Sequence, residues 1–393
     1  MNEIYLRRDN ENELDYVIRL FENKKEYDLD YQELFKLAFG VELAADECRK
    51  RYYGIAMLIE SYKNNLVNKN PIEIKDELYI TMQDIKKERI KLNDERASLT
   101  KTLRNNARYE TIEELALKCV ENIELKSEKF SNEYIMNNGN KSLLVTLSDF
   151  HYGLNTNEFN NIYNPEVFIE RLYKFRDRII NIVCNNPVEK IYIVGLGDYI
   201  SGYIHSTIRI ENRENVVEQV LNVSEHLCQF INALSSYANI EYRDTIGNHS
   251  RMMANKNESI DKESFDLLIH QFIRERFREC KNVEIIESDI NEKMGTLRIY
   301  NKNYAFTHGN GFNFSTIVQD ISLLTGKFYD AIFIGHFHHQ SMDEQQRCYV
   351  YASGSLSGND SYSNKIRRAS NPSQNIYLLN ESDGIECQYI VKL

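Results

Sequence analysis

A chain of 393 residues with 42% hydrophobic and 27% charged side chains has ordinary globular composition. Its length suits one large domain or one domain with an appendage. The formal charge of −11 excludes a generally basic nucleic-acid coat, although a local basic patch or a metal centre can still meet phosphate. Seven scattered cysteines with no CxxC pair point to reduced thiols, not a zinc knuckle or a disulfide framework. The start after Met1 lacks an apolar signal core and no stretch approaches a membrane span, so the expectation is a cytoplasmic protein without membrane contact.

Residues 1–136 read as almost wholly helical, with few glycines and one proline, Pro71. Within a first domain, 1–70, Tyr31–Phe39 is followed by Gly40 and then by a second helical stretch, Ala44–Ile59. This pair resembles a helix-turn-helix unit of the homeodomain-like or Myb-like kind. Arg49, Lys50 and Arg51 on its second helix are candidate DNA contacts, to phosphates or base edges. The alternative is a small helical bundle with a solvated basic face. In a connector, 71–136, Leu78, Met82, Ile85, Arg89, Leu92, Arg96, Leu99 and Leu103 follow a heptad spacing. That pattern predicts either a short coiled coil joining two copies or a helix packed against Thr111–Asn122. Arg89 and Arg96 in the seam weaken a long parallel dimer.

From Leu143 onward the pattern changes to an α/β alternation, forming a third region, 137–393. Short apolar strands are predicted at Leu143–Leu147, Ile191–Val194, Tyr304–Phe306 and Ala331–Ile334. Asn164 can cap a helix with Pro165 in its first turn, and Phe168, Leu172, Phe175 and Ile179 recur on one face. Further helices are expected over Glu214–Ser235, Asp261–Phe277 and Phe314–Leu324. Closing strands are expected at Cys348–Ala352, Asn375–Leu379 and Glu386–Lys392.

Metal-type ligands stand at the ends of these strands, in a fixed order. They are Asp149-Phe150-His151, Gly197-Asp198, Gly247-Asn248-His249, His308-Gly309-Asn310 and Gly335-His336-Phe337-His338. Hydrolysis of a phosphoester by two metals needs one carboxylate to bridge the ions, and others to complete each sphere while leaving room for water and phosphate. Oxygen and imidazole donors suit Mn, Fe, Zn, Ni or Co. If His336 and His338 lie on a strand, period two puts both imidazoles on one face and His339 on the other.

These five blocks resemble those of the calcineurin-like metallophosphoesterases, with Asp149-Phe-His-Tyr-Gly153 as the first and the likeness extending from Lys141 to the end. The resemblance implies a two-sheet αββα sandwich holding two divalent ions, Mn²⁺ foremost. It further implies that Asp149, His151 and His338 hold the first ion and that Asp198 bridges. Asn248, His308 and His336 would then hold the second, and His249 would donate a proton or stabilise the transition state. Ser353-Gly354-Ser355 resembles the small-residue turn that follows the last histidine block.

The chain also departs from the family. Ser201 stands where many members carry a second Asp, and Ser250 where many carry Asp or Glu. Ser201 and Asp244 are therefore the candidates for fixing the tautomer of His249. Gly202-Tyr203 replaces the Arg-Gly pair of the Ser/Thr protein phosphatases, which argues against that branch. Arg209, Arg213 and Arg251 follow motif blocks and are candidate phosphate contacts. The polar loop Gly354–Asn371, with Arg367-Arg368, is expected to border the site, whereas His205, His226 and His270 read as ordinary surface or core residues.

The function this suggests is a phosphodiesterase or nuclease acting on DNA, in motif style closest to the DNA-repair nuclease branch. Its C-terminal capping and ATPase-binding segments are expected to be absent, because little but closing strands follows His338. The alternative is a small-molecule, nucleotide-type phosphodiesterase or phosphomonoesterase whose N-terminal helices serve oligomerisation. A DNA-binding scaffold with a decayed metal site is a third reading, and retention of every ligand argues against it.

Overall fold

A computed structural model describes residues 5–65, 78–100, 102–103, 130–133, 135, 139–204, 206–359, 363, 367 and 369–393. The chain divides into two compact units, Met1–Asn106 and Ala107–Leu393. The division falls inside the stretch 71–136 expected as a connector.

The first unit is built from helices α1 (Glu13–Glu22), α2 (Tyr31–Phe39) and α3 (Ala45–Asn65). Asn12 caps α1 by accepting from the amide of Asp15, and Asp30 with Glu33 closes a reciprocal capping box on α2. Gly40 ends α2 in the left-handed region (φ 68°), where a side chain would be strained. Leu20, Phe21, Leu34, Phe35 and Cys48 make the core between the three helices. Another helix, α4, runs over 78–100, and its seam residues Met82, Ile85, Leu92 and Leu99 are all exposed. The Thr111–Asn122 segment expected to cover that seam lies outside the described residues, as do Pro71 and His205.

The second unit opens with β1 (Lys141–Leu147), the hairpin β2 (Thr156–Glu158) and β3 (Asn161–Tyr163), and helix α5 (Pro165–Asn185). Next come β4 (Val188–Gly195), α6 (Ser206–Glu211), α7 (Val216–Ser235) and β5 (Asn239–Asp244). They are followed by α8 (Phe265–Arg276), β6 (Val283–Ile285), β7 (Met294–Ile299) and β8 (Lys302–Thr307). After α9 (Ile317–Thr325) the chain closes with β9 (Ala331–Ile334), β10 (Ser341–Gln345), β11 (Cys348–Ala352), β12 (Ser373–Asn380) and β13 (Gly384–Lys392). One sheet has the order β13-β12-β1-β4-β5-β6 and the other β10-β11-β9-β8-β7.

Strand periodicity sorts the side chains into layers. Leu143 and Val145 of β1 face the layer shared with α5, α7 and α8, whereas Leu144 between them faces the opposite sheet. On β9, Ala331 and Phe333 point into the space between the sheets, and Ile332 and Ile334 pack beneath α9. The result is the expected two-sheet αββα sandwich. In the first sheet β1, β4 and β5 run parallel, and in the second β8 and β9 do. Every candidate ligand follows the carboxyl end of one of these five strands, the usual place for sites in open α/β sheets. Among the described residues no helix is long and apolar enough to cross a membrane.

Candidate metal centre

The loops beyond these strand ends bring the predicted ligands into one cluster. Three groups have ligand atoms mutually within 4.8 Å: Asp149, His151 and His338; His151, Asp198 and His249; and Asp198, His308 and His336. Asp198 thus joins two neighbouring sets. His151 Nε2 and His338 Nε2 lie 3.1 Å apart, and His338 Nε2 is 3.3 Å from Asp149 Oδ1. On the other side His308 Nε2 lies 3.1 Å from both Asp198 Oδ2 and Asn248 Oδ1. Asp149, His151, Asp198 and His308 are buried, while Asn248, His249, His336 and His338 are half-buried and form the open side.

The backbone is forced to make this convergence. Asp149 (φ 52°), His151 (φ 45°), Asp198 (φ 55°), His336 (φ 66°) and His338 (φ 59°) all lie in the left-handed region. Non-glycine residues rarely adopt it, and such strain concentrates at functional sites. The expectation that His336 and His338 share a strand face is corrected here. β9 ends at Ile334, and both histidines sit in the loop beyond it. They go to different sets, His338 with Asp149 and His151, and His336 with Asp198 and His308. His339 likewise lies on this loop, exposed, with its Nδ1 donating to the Phe337 carbonyl at 2.7 Å. Close packing makes the loops interdependent: a Cβ on Gly247 would run into the Asp198 carboxylate and amide.

Hydrogen bonds leave the cluster short of positive charge. His308 Nδ1 is 2.6 Å from the Leu196 carbonyl, which can only accept, so the ring proton belongs on Nδ1. Nε2 then faces Asp198 Oδ2, a buried oxygen that receives no aligned hydrogen bond, so the space between them suits a second proton or a cation. A buried carboxylate oxygen without a donor is expensive to maintain unless a cation meets it. The electrostatics say the same. Burial alone would raise the carboxyl of Asp149, yet the surrounding imidazoles of His338, His308 and His151 hold it well below the usual carboxylate range. Against its burial, His308 is pushed up to about 9 by Asp198 and Asp149. Burial and neighbouring imidazoles lower His151 to about 3 and His336 to about 4, leaving both neutral and able to ligate. The donor set fits divalent ions with oxygen and nitrogen preference.

Support for Asp149 comes from segments the sequence left vague. The amide of His336 donates to both of its carboxylate oxygens, at 3.2 and 3.0 Å. Its carbonyl accepts from Ser355 Oγ at 2.9 Å, so the beginning of the 354–371 loop does lie against the site. Gln374 of β12 clamps both the amide and the carbonyl of Ser148, each at 2.9 Å. No sequence signal marks Gln374, since its role depends on a strand far along the chain.

His249 sits beside His151, ring centroids 4.5 Å apart, and its amide donates to Asp198 Oδ1 at 2.8 Å. Its Nδ1 donates to the carbonyl of Ser201 at 3.1 Å, which directs Nε2 away from that contact. Of the two expected orienting partners, Ser201 therefore serves, through its backbone. Asp244 does not: it pairs with His270 Nδ1 at 2.7 Å and accepts from Tyr242. His270 is consequently half of a buried ion pair, not an ordinary core residue.

Comparison with known proteins adds little chemistry. No family model matches the chain. The SPbeta prophage-derived uncharacterized protein YonJ of Bacillus subtilis (strain 168) is 22% identical, the match covering 98% of this chain and 97% of that one. An archaeal phosphodiesterase overlaps 64% of this chain and 99% of its own, at 14% identity and a TM-score of 0.33. Zinc-complexed Vps29 of Entamoeba histolytica overlaps 64% and 98%, at 13% identity and 0.28. A hypothetical protein of Pyrococcus horikoshii overlaps 64% and 88%, at 10% identity and 0.34. Likenesses this slight identify neither ligand nor reaction.

The predicted arginines fare unevenly. Arg251 folds back onto its own loop, donating to the Met253 carbonyl at 3.1 Å, and Arg213 pairs with Glu166 at 2.8 Å. Arg209 is exposed on α6. In the first unit Arg49 and Lys50 each lie 3.0 Å from Asp46, and Arg51 pairs with Glu47. The basic triplet is thus exposed but locally neutralised. Arg367 is exposed, and Arg368 lies outside the described residues.

Proposed function

We propose that the chain is a phosphoester hydrolase using two divalent metal ions, acting as a phosphodiesterase or nuclease on DNA. The observation that carries this reading is the buried Asp198 carboxylate, whose Oδ2 receives no aligned hydrogen bond and which groups with His151 and His249 on one hand and with His308 and His336 on the other. Asp149, His151 and His338 would hold one ion, and Asn248, His308 and His336 the other, with Asp198 between them. Bound there, the ions supply Lewis acidity toward a phosphoryl oxygen and lower the pKa of an attacking water. Manganese is the first ion to try, with Fe, Zn, Ni and Co as alternatives.

His249 does the proton work. The Ser201 carbonyl keeps its proton on Nδ1, so only Nε2 is available to protonate the departing oxygen as general acid. The amide bond to Asp198 fixes the ring's distance from the ligand cluster. Arg209 and Arg251 are the candidate phosphate contacts, Arg251 requiring a rotamer change to reach one. DNA as substrate is supported by the α2–turn–α3 arrangement around Gly40, with Arg49, Lys50 and Arg51 exposed on α3. The exposed seam of α4 supports a homodimer.

One observation favours a second reading, hydrolysis of small phosphodiesters or nucleotides. The cations of α3 are each matched by Asp46 or Glu47, which weakens their attraction for a polyanion. A paired assay with Mn²⁺, on linear and single-stranded DNA and on bis-p-nitrophenyl phosphate, separates the two. The expected result is cleavage of DNA, with His249→Ala lowering kcat by about 10²–10⁴-fold. Turnover of the small diester with DNA left intact would favour the second reading. Full activity in His249→Ala would remove its assigned role.

A further inference from the structure

The loop that carries Asn248 and His249 is fastened from behind by a residue with no sequence signature. Asp266, the second residue of α8, is 2% exposed. Its Oδ2 accepts from the Gly247 amide at 2.8 Å and from the Ser250 hydroxyl at 2.8 Å. Its Oδ1 is buried and, among the described residues, has no hydrogen-bond partner. A half-satisfied buried carboxylate is destabilising by itself, and its place at a helix N-terminus offsets only part of that. More bonds lace the same two segments together. Ser250 Oγ meets Ser264 Oγ at 2.7 Å, the Phe265 amide donates to the Ser250 carbonyl at 2.8 Å, and the Met252 amide donates to Glu263 at 3.1 Å.

On the opposite side, Asp198 Oδ1 accepts from the His249 amide at 2.8 Å. The loop therefore spans two buried carboxylates, one in the ligand cluster and one outside it. It cannot shift toward the cluster, because Gly247 already touches the Asp198 side chain with no room for a Cβ. The only free direction is away from the cluster, and the bond from Gly247 to Asp266 closes it. A small side chain at position 250 fits this plan: Ser250 contributes a donor, while the carboxylate arrives from α8.

We propose that Asp266 is a positioning residue for the centre, holding the 247–250 loop so that Asn248 reaches His308 and the His249 ring keeps its bond to Ser201. This rests on reading the cluster as a metal centre, but it also makes a claim about the metal-free protein. The test uses the full chain with Asp266→Ala, Asp266→Asn and Ser250→Ala. In metal-free protein, the downfield imidazole N–H resonance of His249, donated to Ser201, is expected to be lost in Asp266→Ala. The corresponding His308 resonance, donated to Leu196, should persist as an internal control. With Mn²⁺, Asp266→Ala should weaken the ion held by Asn248, His308 and His336 by roughly 10–100-fold and lower kcat similarly, as loss of ligand support does. The ion held by Asp149, His151 and His338 should bind as in wild type.

Asp266→Asn keeps an oxygen acceptor for the Gly247 amide and should recover most of both signals, which a general need for negative charge would not allow. Should Asp266→Ala not fold, Asp266→Asn still decides: near wild-type binding and turnover support the proposal, and a tenfold loss overturns it. An Asp266→Ala protein that melts earlier yet keeps the His249 resonance, both ions and full turnover also overturns it. Failure of the metal-centre reading looks different, because then wild type itself binds no ion while the His249 resonance still reports on Asp266.

Discussion

His308 shows how one side chain reveals the chemistry of its surroundings. With its proton committed to the Leu196 carbonyl, its second nitrogen and the oxygens of Asp198 and Asn248 present lone pairs to one another at 3.1 Å. Such an arrangement is stable only around a proton or a cation. His270 makes the contrasting case, a buried imidazole outside the cluster with a carboxylate of its own. Burial would lower it, but Asp244 prevails and raises it above the ordinary value of about 6.5. A raised folded pKa means the pair stabilises fully below about pH 6.5 and loses that contribution as pH rises through the folded value. We expect the melting temperature of the metal-free wild type to fall on the alkaline side more steeply than that of His270→Gln. Parallel curves would show that the pair does not contribute. These roles were partly visible beforehand: the ligand types and their order stand in the sequence, whereas the partner of Asp244 depended on α8 packing beside β5.

Strands and their following loops divide the labour. The strand positions were legible from apolar runs, and the helix Pro165–Asn185 from its Asn164 cap and its apolar spacing. The loops were not, because aspartates and histidines tolerate the left-handed region without marking which of them will adopt it. The placing of His336 and His338 on a strand failed for that reason: apolar Phe337 continues the pattern while the backbone has already turned. Rigid strands are what hold such strained loops in place. Phe333 of β9 is fully buried between the sheets, its ring 4.9 Å from that of Tyr377 and 5.7 Å from that of Tyr351. Phe333→Ala should destabilise by about 3–5 kcal/mol in urea unfolding. Phe159, at the tip of the β2–β3 hairpin and 99% exposed, should change stability by less than about 0.5 kcal/mol when truncated. Equal effects at the two positions would contradict the layer assignment.

Taken as a whole, the molecule pairs an αββα unit that contains every candidate ligand with a helical unit that contains none. The formal charge of −11 is borne by a chain whose ligand cluster is itself short of positive charge, so cations and not polyanions are what the metal-free centre attracts. The sequence made the ligand cluster legible through five ordered blocks, since each block ends a strand and the fold needed only to gather strand ends. Substrate identity was not legible: Arg49, Lys50 and Arg51, the candidate DNA contacts, are matched by Asp46 and Glu47 beside them. The central claim is that Asp198 joins two ions in one centre. Its most direct test is a Mn²⁺ titration of the full chain followed by electron paramagnetic resonance, on wild type and Asp198→Ala. The account predicts two ions per chain with a spin-coupled signal in wild type, and loss of that coupling in the variant. A single ion, two magnetically independent ions, or coupling unchanged in Asp198→Ala would contradict it.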